Sequence, residues 1–396
     1  MTGIRRVSQL GTTGESTYVD GSIQAVDIAA NVITQDKLST DIPLSGFRNV
    51  IINGDMRIAQ RGTSTASITA NGYYTCDRWY TELILAGTWT QNQSTDAPAG
   101  FGNSLRMQCT TAVSSPYPIL ARIGTRLEGQ DLQRFAKGTA SAKSFSLSFW
   151  VKAFQAGTYI CELYDSDNTR QCSKSYTVNT SETWEYKTVT FPSDTTGAFN
   201  NDNGLSLIVY FWLGAGSQFS NGTLNTSWGA ANYSNGSVAA GQINVASSTS
   251  NYFQITGVQL EANSQPTPFE QRPIGVELAL CQRYCTRLPA QGNTAAYGIF
   301  GTGIGRTGAS TIVDFQIPLP TTMRVTPTSA DVFNLRATDT GTGYTFSTFT
   351  LQSTESTPNC VSMSGGGGSG ITGYRPYFIT SNNNATGGYA NFYAEL

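Results

Sequence analysis

The sequence predicts an all-β chain in four parts: an N-terminal extended trimeric arm (1–46), a jelly-roll β-sandwich (47–273), a short linking helix (274–290) and a second, C-terminal β-sandwich (291–396). Three observations carry that prediction. Short aromatic and β-branched runs recur along the chain, separated by turn chemistry. Asn-Gly steps stand at 53–54, 71–72, 221–222 and 235–236, and Asn-Gly is a strong turn signal. Charged residues make up only 13% of the chain, against roughly 25% in an ordinary globular protein. Gly, Ser, Thr and Asn take their place, which gives a hydrogen-bonding surface with long loops.

The arm follows from its sparse apolar content. In GSIQAVDIAANVITQDKLSTDIP, Ile23, Ile28, Val32, Ile33 and Leu38 fall at short, irregular intervals among Asp, Asn and Gln. A segment this short rarely builds a core alone. Three copies pooling these side chains around one axis would, so these five residues are the expected trimer seam.

The jelly roll is read from NVIINGDMRI, YTCDRWYTELIL, SFSLSFWVKA, TYICELYD, TWEYKTVTFP, LSLIVYFWLG and NYFQITGVQLE. In SFSLSFWVKA, Phe145, Leu147, Phe149 and Val151 share one face, with Ser146, Ser148 and Trp150 on the other. All six Trp lie in this unit and most are expected in its core. After Pro273, IGVELALCQRYCTRL sets Val276, Leu280, Tyr284 and Leu288 four apart, the spacing of one helical stripe, and Pro289 stops it. The last unit has neither Trp nor Lys. Its strand candidates are TIVDFQIPLP, SADVFNLRAT, YTFSTFTLQ, YRPYFIT and ANFYAEL, and the run GGGGSG at 365–370 reads as a flexible loop between strands.

Composition also excludes. With no histidine, the chain has no Ser-His or Cys-His catalysis and no imidazole metal ligand. A net charge of -2 is not built to neutralise nucleic acid or anionic lipid. No apolar run reaches the roughly 18 residues of a membrane span. The opening residues lack a signal-peptide core, so synthesis in a cytoplasm and no membrane insertion are expected. The seven cysteines are scattered and show no CxxC pair. Cys281 and Cys285 share a face of the expected helix, a faint hint of a soft-metal site, but small buried apolar side chains are the simpler reading. No glycine run is followed by Lys and a helix, so no phosphate loop and no cofactor are expected.

At NVIINGDMRIAQRGTS, DRWY and FQITGVQLEANSQPTPFEQRPIGVELALCQRY the chain resembles a group of phage tail-fibre and related virion proteins. In these, such motifs open and close a jelly-roll domain similar to carbohydrate-binding modules. Met56 stands where the group usually has Phe, and Cys285 where a second Tyr is common. The arm segment GSIQAVDIAANVITQDKLS and the ending ANFYAEL resemble the same group. The resemblance implies a homotrimer in the virion tail, docked on tail or baseplate proteins by its N-terminus, with host contact in the distal C-terminal unit. In the closing motif, Phe269 is expected to plug the sandwich edge between prolines, with Glu270 and Arg272 beside it.

Attachment to a host surface polysaccharide or lipopolysaccharide calls for aromatic faces and amides in exposed loops. Trp228 and Tyr233, in NTSWGAANYSNGS, are the candidates of the jelly roll; Tyr344, Tyr374 and Tyr377, beside Gly-rich loops, are the distal ones. A depolymerising tailspike would need paired carboxylates, for which Asp165 with Asp167, or Glu182 with Glu185, are the pairs to inspect. An Asp-x-Asp is more often a turn, and the chain lacks the period of a β-helix, so a non-enzymatic chain is expected. An architectural adaptor without host contact is the remaining alternative.

Overall fold

A computed structural model describes residues 47–396 apart from 114–118, 234–235, 291–296, 309–310 and 383–386. The arm and its five seam candidates, Ile23, Ile28, Val32, Ile33 and Leu38, lie outside the described residues.

Residues 47–396 form one compact unit, mostly β-strand, in two sheet-rich regions. The strands of the first are β1 (Ser64–Ile68), β2 (Gly72–Tyr73), β3 (Trp79–Ile84), β4 (Thr88–Ser94), β5 (Ser104–Thr111), β6 (Leu120–Glu128), β7 (Phe145–Ala153), β8 (Gly157–Asp165), β9 (Arg170–Val178), β10 (Glu185–Phe191), β11 (Leu205–Ala215), β12 (Gly229–Ala230) and β13 (Tyr252–Glu261). A six-stranded sheet, β1-β4-β5-β13-β7-β10, faces a seven-stranded one, β12-β9-β8-β11-β6-β3-β2. All the pairings are antiparallel. This is a jelly-roll-like β-sandwich, and the alternation in β7 shows how it closes. Phe145, Leu147, Phe149 and Val151 are fully buried against the facing sheet, where Phe149 meets Phe211 of β11 with ring centroids 5.0 Å apart. Trp79, Trp89 and Trp212 are buried as expected of core tryptophans, whereas Trp150, Trp184 and Trp228 are not fully covered.

The second region comprises β14 (Cys285–Pro289), β15 (Ile299–Gly305), β16 (Ile312–Pro318), β17 (Ser329–Phe333), β18 (Leu335–Thr338), β19 (Gly343–Thr345), β20 (Thr348–Leu351), β21 (Cys360–Gly366), β22 (Pro376–Ser381) and β23 (Tyr389–Tyr393). They make a three-stranded sheet, β14-β23-β17, and a seven-stranded sheet, β19-β18-β22-β15-β16-β21-β20, around their own apolar core.

Four expectations need correction. The opening motif NVIINGDMRI is not a strand: Asn53 and Met56 take left-handed backbone conformations, at φ 57° and 60°, that break a ladder. Its backbone polar groups are satisfied partly by scattered backbone partners, such as Val50 donating to Leu260, and partly by side chains. Glu270 accepts from the amides of Arg48 and Asn49 at 2.7 and 2.8 Å, and Arg272 donates to the carbonyls of Asn49 and Ile51. Phe269 stacks edge-on against Phe101 at 5.2 Å, so the closing motif is a seam sewn onto residues 48–53.

The expected helix over 274–290 stops at Gln282, and Cys285–Pro289 pairs with β23 as a strand. The helix buries Glu277 and Cys281; of the expected stripe, Tyr284, beyond the helix end, is buried, Leu280 and Leu288 are half-buried and Val276 is exposed. Burying Glu277 is possible because its carboxylate accepts from the Asn53 amide and meets Arg272 at 3.4 Å. Val276 and Leu280 instead line an apolar cavity of about 440 Å³ with Gly275, Ala279, Arg283, Thr321 and Thr322. With the helix ended, Cys281 and Cys285 share no helical face. Both are buried free thiols, and among the described residues no group of three or more His, Cys, Asp or Glu is placed to hold a metal.

Finally, Gly365 and Gly366 are part of β21 rather than loop. At Gly301 a Cβ would stand 2.1 Å from the Gln316 carbonyl oxygen, so glycine there lets β15 approach β16. No described helix is long and apolar enough to cross a membrane.

At the junction of the two regions, Asp77 is fully buried, accepting from Gln60 at 3.0 Å and facing Arg61 at 3.6 Å. Burial pushes its carboxyl up to about 6 despite Arg61 and Gln60, from an ordinary 3.8. A carboxyl raised on folding binds its proton more readily in the native state. Its stabilising contribution is therefore present below about pH 4 and is lost as pH rises through about 6. Urea midpoints measured across that window are expected to fall less in Asp77→Asn than in the unsubstituted protein.

Candidate functional site: the outer face of the six-stranded sheet

The outer face of the six-stranded sheet carries large aromatics that the core does not use. Because β7 alternates strictly, Trp150 points away from the core with Ser146 and Ser148. It lies opposite Tyr186 of β10 on one side and Thr256 of β13 on the other. The Trp150 and Tyr186 rings stand 5.5 Å apart, and Tyr186 is 44% exposed. A bulge in β13 makes room beside them. Gly257 has φ +62°, and a Cβ there would sit 2.7 Å from the Phe101 ring and 3.2 Å from Trp150. A line of rings therefore runs from Tyr186 through Trp150 and Phe101 to Phe269.

A polar row lies alongside. The register places Lys152 opposite Gln254, Gln254 opposite Arg106, and Arg106 opposite Asn92. Lys152 donates to Asp96 at 2.8 Å, and Trp184, just before β10, donates its indole N–H to the same carboxylate at 3.0 Å. Partial burial pushes Asp96 up, but these donors outweigh it and hold its carboxyl below the ordinary aspartate range. Arg106 lies over the Tyr252 ring at 4.3 Å and donates to Gln108 at 2.7 Å. Beneath the rings, Gln254 Oε1 and Thr256 Oγ1 are buried with no hydrogen-bond partner in the protein. Buried polar atoms normally find one; Gln254 and Thr256 are both fully covered, and the Gln254 amide donates to Ser104 at 3.2 Å.

The five aromatics singled out from loop composition are placed differently. Trp228 packs on the core beside Phe145, donates to the Pro192 carbonyl at 2.8 Å, and lies 5.1 Å from the ammonium of Lys137. Tyr233 is half-buried and donates to Glu162 at 2.8 Å, pinning its loop to the seven-stranded sheet of the jelly roll. Tyr377 is only 3% exposed and accepts from the Thr372 amide, so it offers no face to a ligand. Tyr344 is half-buried, donating to Asp339 and edge-on to Tyr377. Only Tyr374 of the five is exposed, at 75%. Aromatic residues in polar loops here mostly anchor those loops to the sheets. The signal for Trp150 was present in the sequence: a large aromatic on the serine face of an alternating strand.

Neither carboxylate pair forms an acid–base arrangement. Asp165 is fully buried against Lys137 at 2.5 Å and accepts from the Asn168 amide, while Asp167 accepts from Asn200. Glu185 holds the amides of Asn179 and Thr180, and Glu182 accepts from Tyr252. All four carboxylates hold turns or neighbours in place.

No family model matches this chain, and no curated protein matches it. Solved structures resemble it distantly. A family 61 carbohydrate-binding module in complex with β-1,4-galactotriose, TmCBM61, is 8% identical over 55% of this chain and 100% of its own, with a TM-score of 0.29. The family 11 carbohydrate-binding module of Clostridium thermocellum, in complex with a β-1,3-1,4-mixed-linked tetrasaccharide, is 11% identical over 52% of this chain and 98% of its own, at 0.26. The enzymatically active domain of tailspike protein 4 of bacteriophage CBA120 is 11% identical over 54% of this chain, at 0.28. There the match spans 21% of the tailspike chain. The likeness is one of a β-sandwich and carries nothing about ligand or assembly.

Proposed function

We propose that this chain is a non-enzymatic attachment protein that binds surface glycan on the outer face of its six-stranded sheet, as a trimeric tail fibre of a phage virion. The observation that carries the glycan reading is Trp150 with Tyr186, two outward rings beside a polar row. A pyranose has an apolar C–H face that stacks on such rings and equatorial hydroxyls that take Asn92 and Lys152. The fibre setting rests on the tail-fibre-like motifs at both edges of the sandwich. On that reading the arm trimerises and docks on tail or baseplate proteins. The chain is made in the host cytoplasm and carried in the virion tail, and its ligand is a host polysaccharide or lipopolysaccharide. It contacts no nucleic acid and inserts in no membrane.

The test is affinity electrophoresis of the full chain through gels containing bacterial lipopolysaccharide or capsular polysaccharide, with its mass measured by light scattering. Retardation by at least one polysaccharide is expected, from a species near three chains of 42.4 kDa. Trp150→Ala is expected to weaken that binding about tenfold or more. Unchanged retardation of Trp150→Ala would remove this face from the proposal, and a monomer would remove the fibre.

A further inference from the structure

The C-terminal region carries a second displayed aromatic stripe. In YRPYFIT, Tyr374 is 75% exposed and Phe378 52%, with Arg375 and Pro376 exposed between them, while Tyr377 and Ile379 are buried in the core. Ile304 of β15, 47% exposed, lies opposite Pro376, and Thr302 lies opposite Phe378. Tyr374 is held in place by its backbone. Its φ is +63°, a conformation that bulky residues rarely adopt. The bracket is mutual: the Tyr374 amide donates to the Gly305 carbonyl, and the Gly305 amide donates to the Arg375 carbonyl, both at 2.9 Å. Such an outlier persists where surrounding structure enforces it, and the tight turn here presents the ring to solvent.

We infer that Tyr374, Pro376 and Phe378 form a second saccharide-binding stripe, on the open face of the C-terminal seven-stranded sheet, separate from the Trp150 face. The surroundings favour a neutral glycan over other occupants. Phe378 stands between Thr338 of β18 and Thr302, with Gln316 of β16 beyond, so hydroxyls and an amide flank the ring across the strands. Two flanking charge pairs are spent on each other, Arg306 with Asp314 at 2.5 Å and Arg375 with Asp339 at 3.1 Å, and Arg336 lies over the Tyr297 ring at 4.2 Å. Stacking surface bordered by uncharged donors and acceptors suits the alternating C–H faces and hydroxyls of a sugar chain. Two such stripes on one chain, multiplied by assembly, give attachment by avidity rather than by one tight site.

The experiment compares the unsubstituted full chain, Trp150→Ala, and the double variant Tyr374→Ala with Phe378→Ala. The gels contain dextran, mannan, β-1,4-galactan, mixed-linkage β-glucan or purified O-polysaccharide. Both stripe residues are exposed, so far-ultraviolet dichroism and the thermal midpoint are expected to stay unchanged. The double variant is expected to lose about tenfold in affinity for at least one glycan that Trp150→Ala still binds. Equal behaviour of the double variant and the unsubstituted chain on every glycan, including no retardation of either, overturns the inference. So does a change in light-scattering mass on double substitution without a change in glycan binding, which would make the stripe a contact between copies.

Discussion

Replacing Arg122 by methionine is expected to destabilise the jelly roll by about 3–5 kcal/mol, the usual cost of stranding one partner of a buried ion pair. Arg122 is 5% exposed and its guanidinium reaches Glu162 at 3.1 Å and Glu82 at 3.0 Å. The rings of Tyr210, Trp212 and Tyr233 surround it at 3.6, 4.9 and 5.4 Å. Glu162 is fully buried, and burial raises its carboxyl above the ordinary range even with Arg122, Tyr233 and Trp212 opposing. Without Arg122 that carboxylate keeps only the Trp212 indole at 2.9 Å and the Tyr233 hydroxyl at 2.8 Å, with Glu82 left nearby. The sign of the pH dependence follows. A carboxyl raised further on folding is tolerated when protonated, so the deficit of Arg122→Met should shrink as pH falls and grow towards neutrality. Adding Glu162→Gln should restore part of the loss. Urea titrations at two pH values read all of this, and a loss under about 1 kcal/mol at neutral pH would show that the pair is not uniquely required.

That cluster also shows where sequence patterning stops being informative. β7 is legible from its alternation, and β11 from an unbroken apolar run buried on both faces. In β4, TWTQNQS, the inward residue Gln91 is polar yet fully buried, since it accepts from Thr75 and donates to Thr81. Those partners lie on other segments, so the period of β4 is hidden until the chain folds. The helix Ile274–Gln282 fails for the same reason. Its buried face is set by Asn53 and Arg272 meeting Glu277, while Val276 of its apolar stripe is left outside. Tyr233 reads as a loop-tip ligand because its loop is rich in Asn, Gly and Ser. Only the fold reveals Glu162 beneath it. Trp150 is the converse case, since the alternation placed it outside and composition alone assigned tryptophans to the core.

Glu395→Ala is expected to cost about 3–5 kcal/mol as well, but at the junction between the two regions rather than within one. The Glu395 carboxylate bridges Arg61 at 2.6 Å and Arg78 at 2.5 Å, both contributed by the jelly roll. Arg78 is 1% exposed, lies 3.4 Å from the centre of the Tyr284 ring, and sits at φ 71°, so it cannot easily turn to solvent. Arg61 is held between Tyr73 and Tyr393 and keeps Asp77 at 3.6 Å as its remaining carboxylate. Removing Glu395 therefore strands Arg78 more than Arg61, and Arg78→Met combined with Glu395→Ala should recover part of the loss. Glu395 follows β23, the central strand of the sheet that also contains β14 and β17, so the damage should appear first in that sheet. In calorimetry the single cooperative transition expected of one compact unit should separate, with the C-terminal region melting earlier. Glu395→Gln, which keeps the shape and some hydrogen bonding but loses the charge, should fall between. If Glu395→Ala stays within about 0.5 kcal/mol of the unsubstituted chain, the two regions are held together by apolar packing around Tyr284 and Cys281 instead, and the ion pairs only offset their own desolvation.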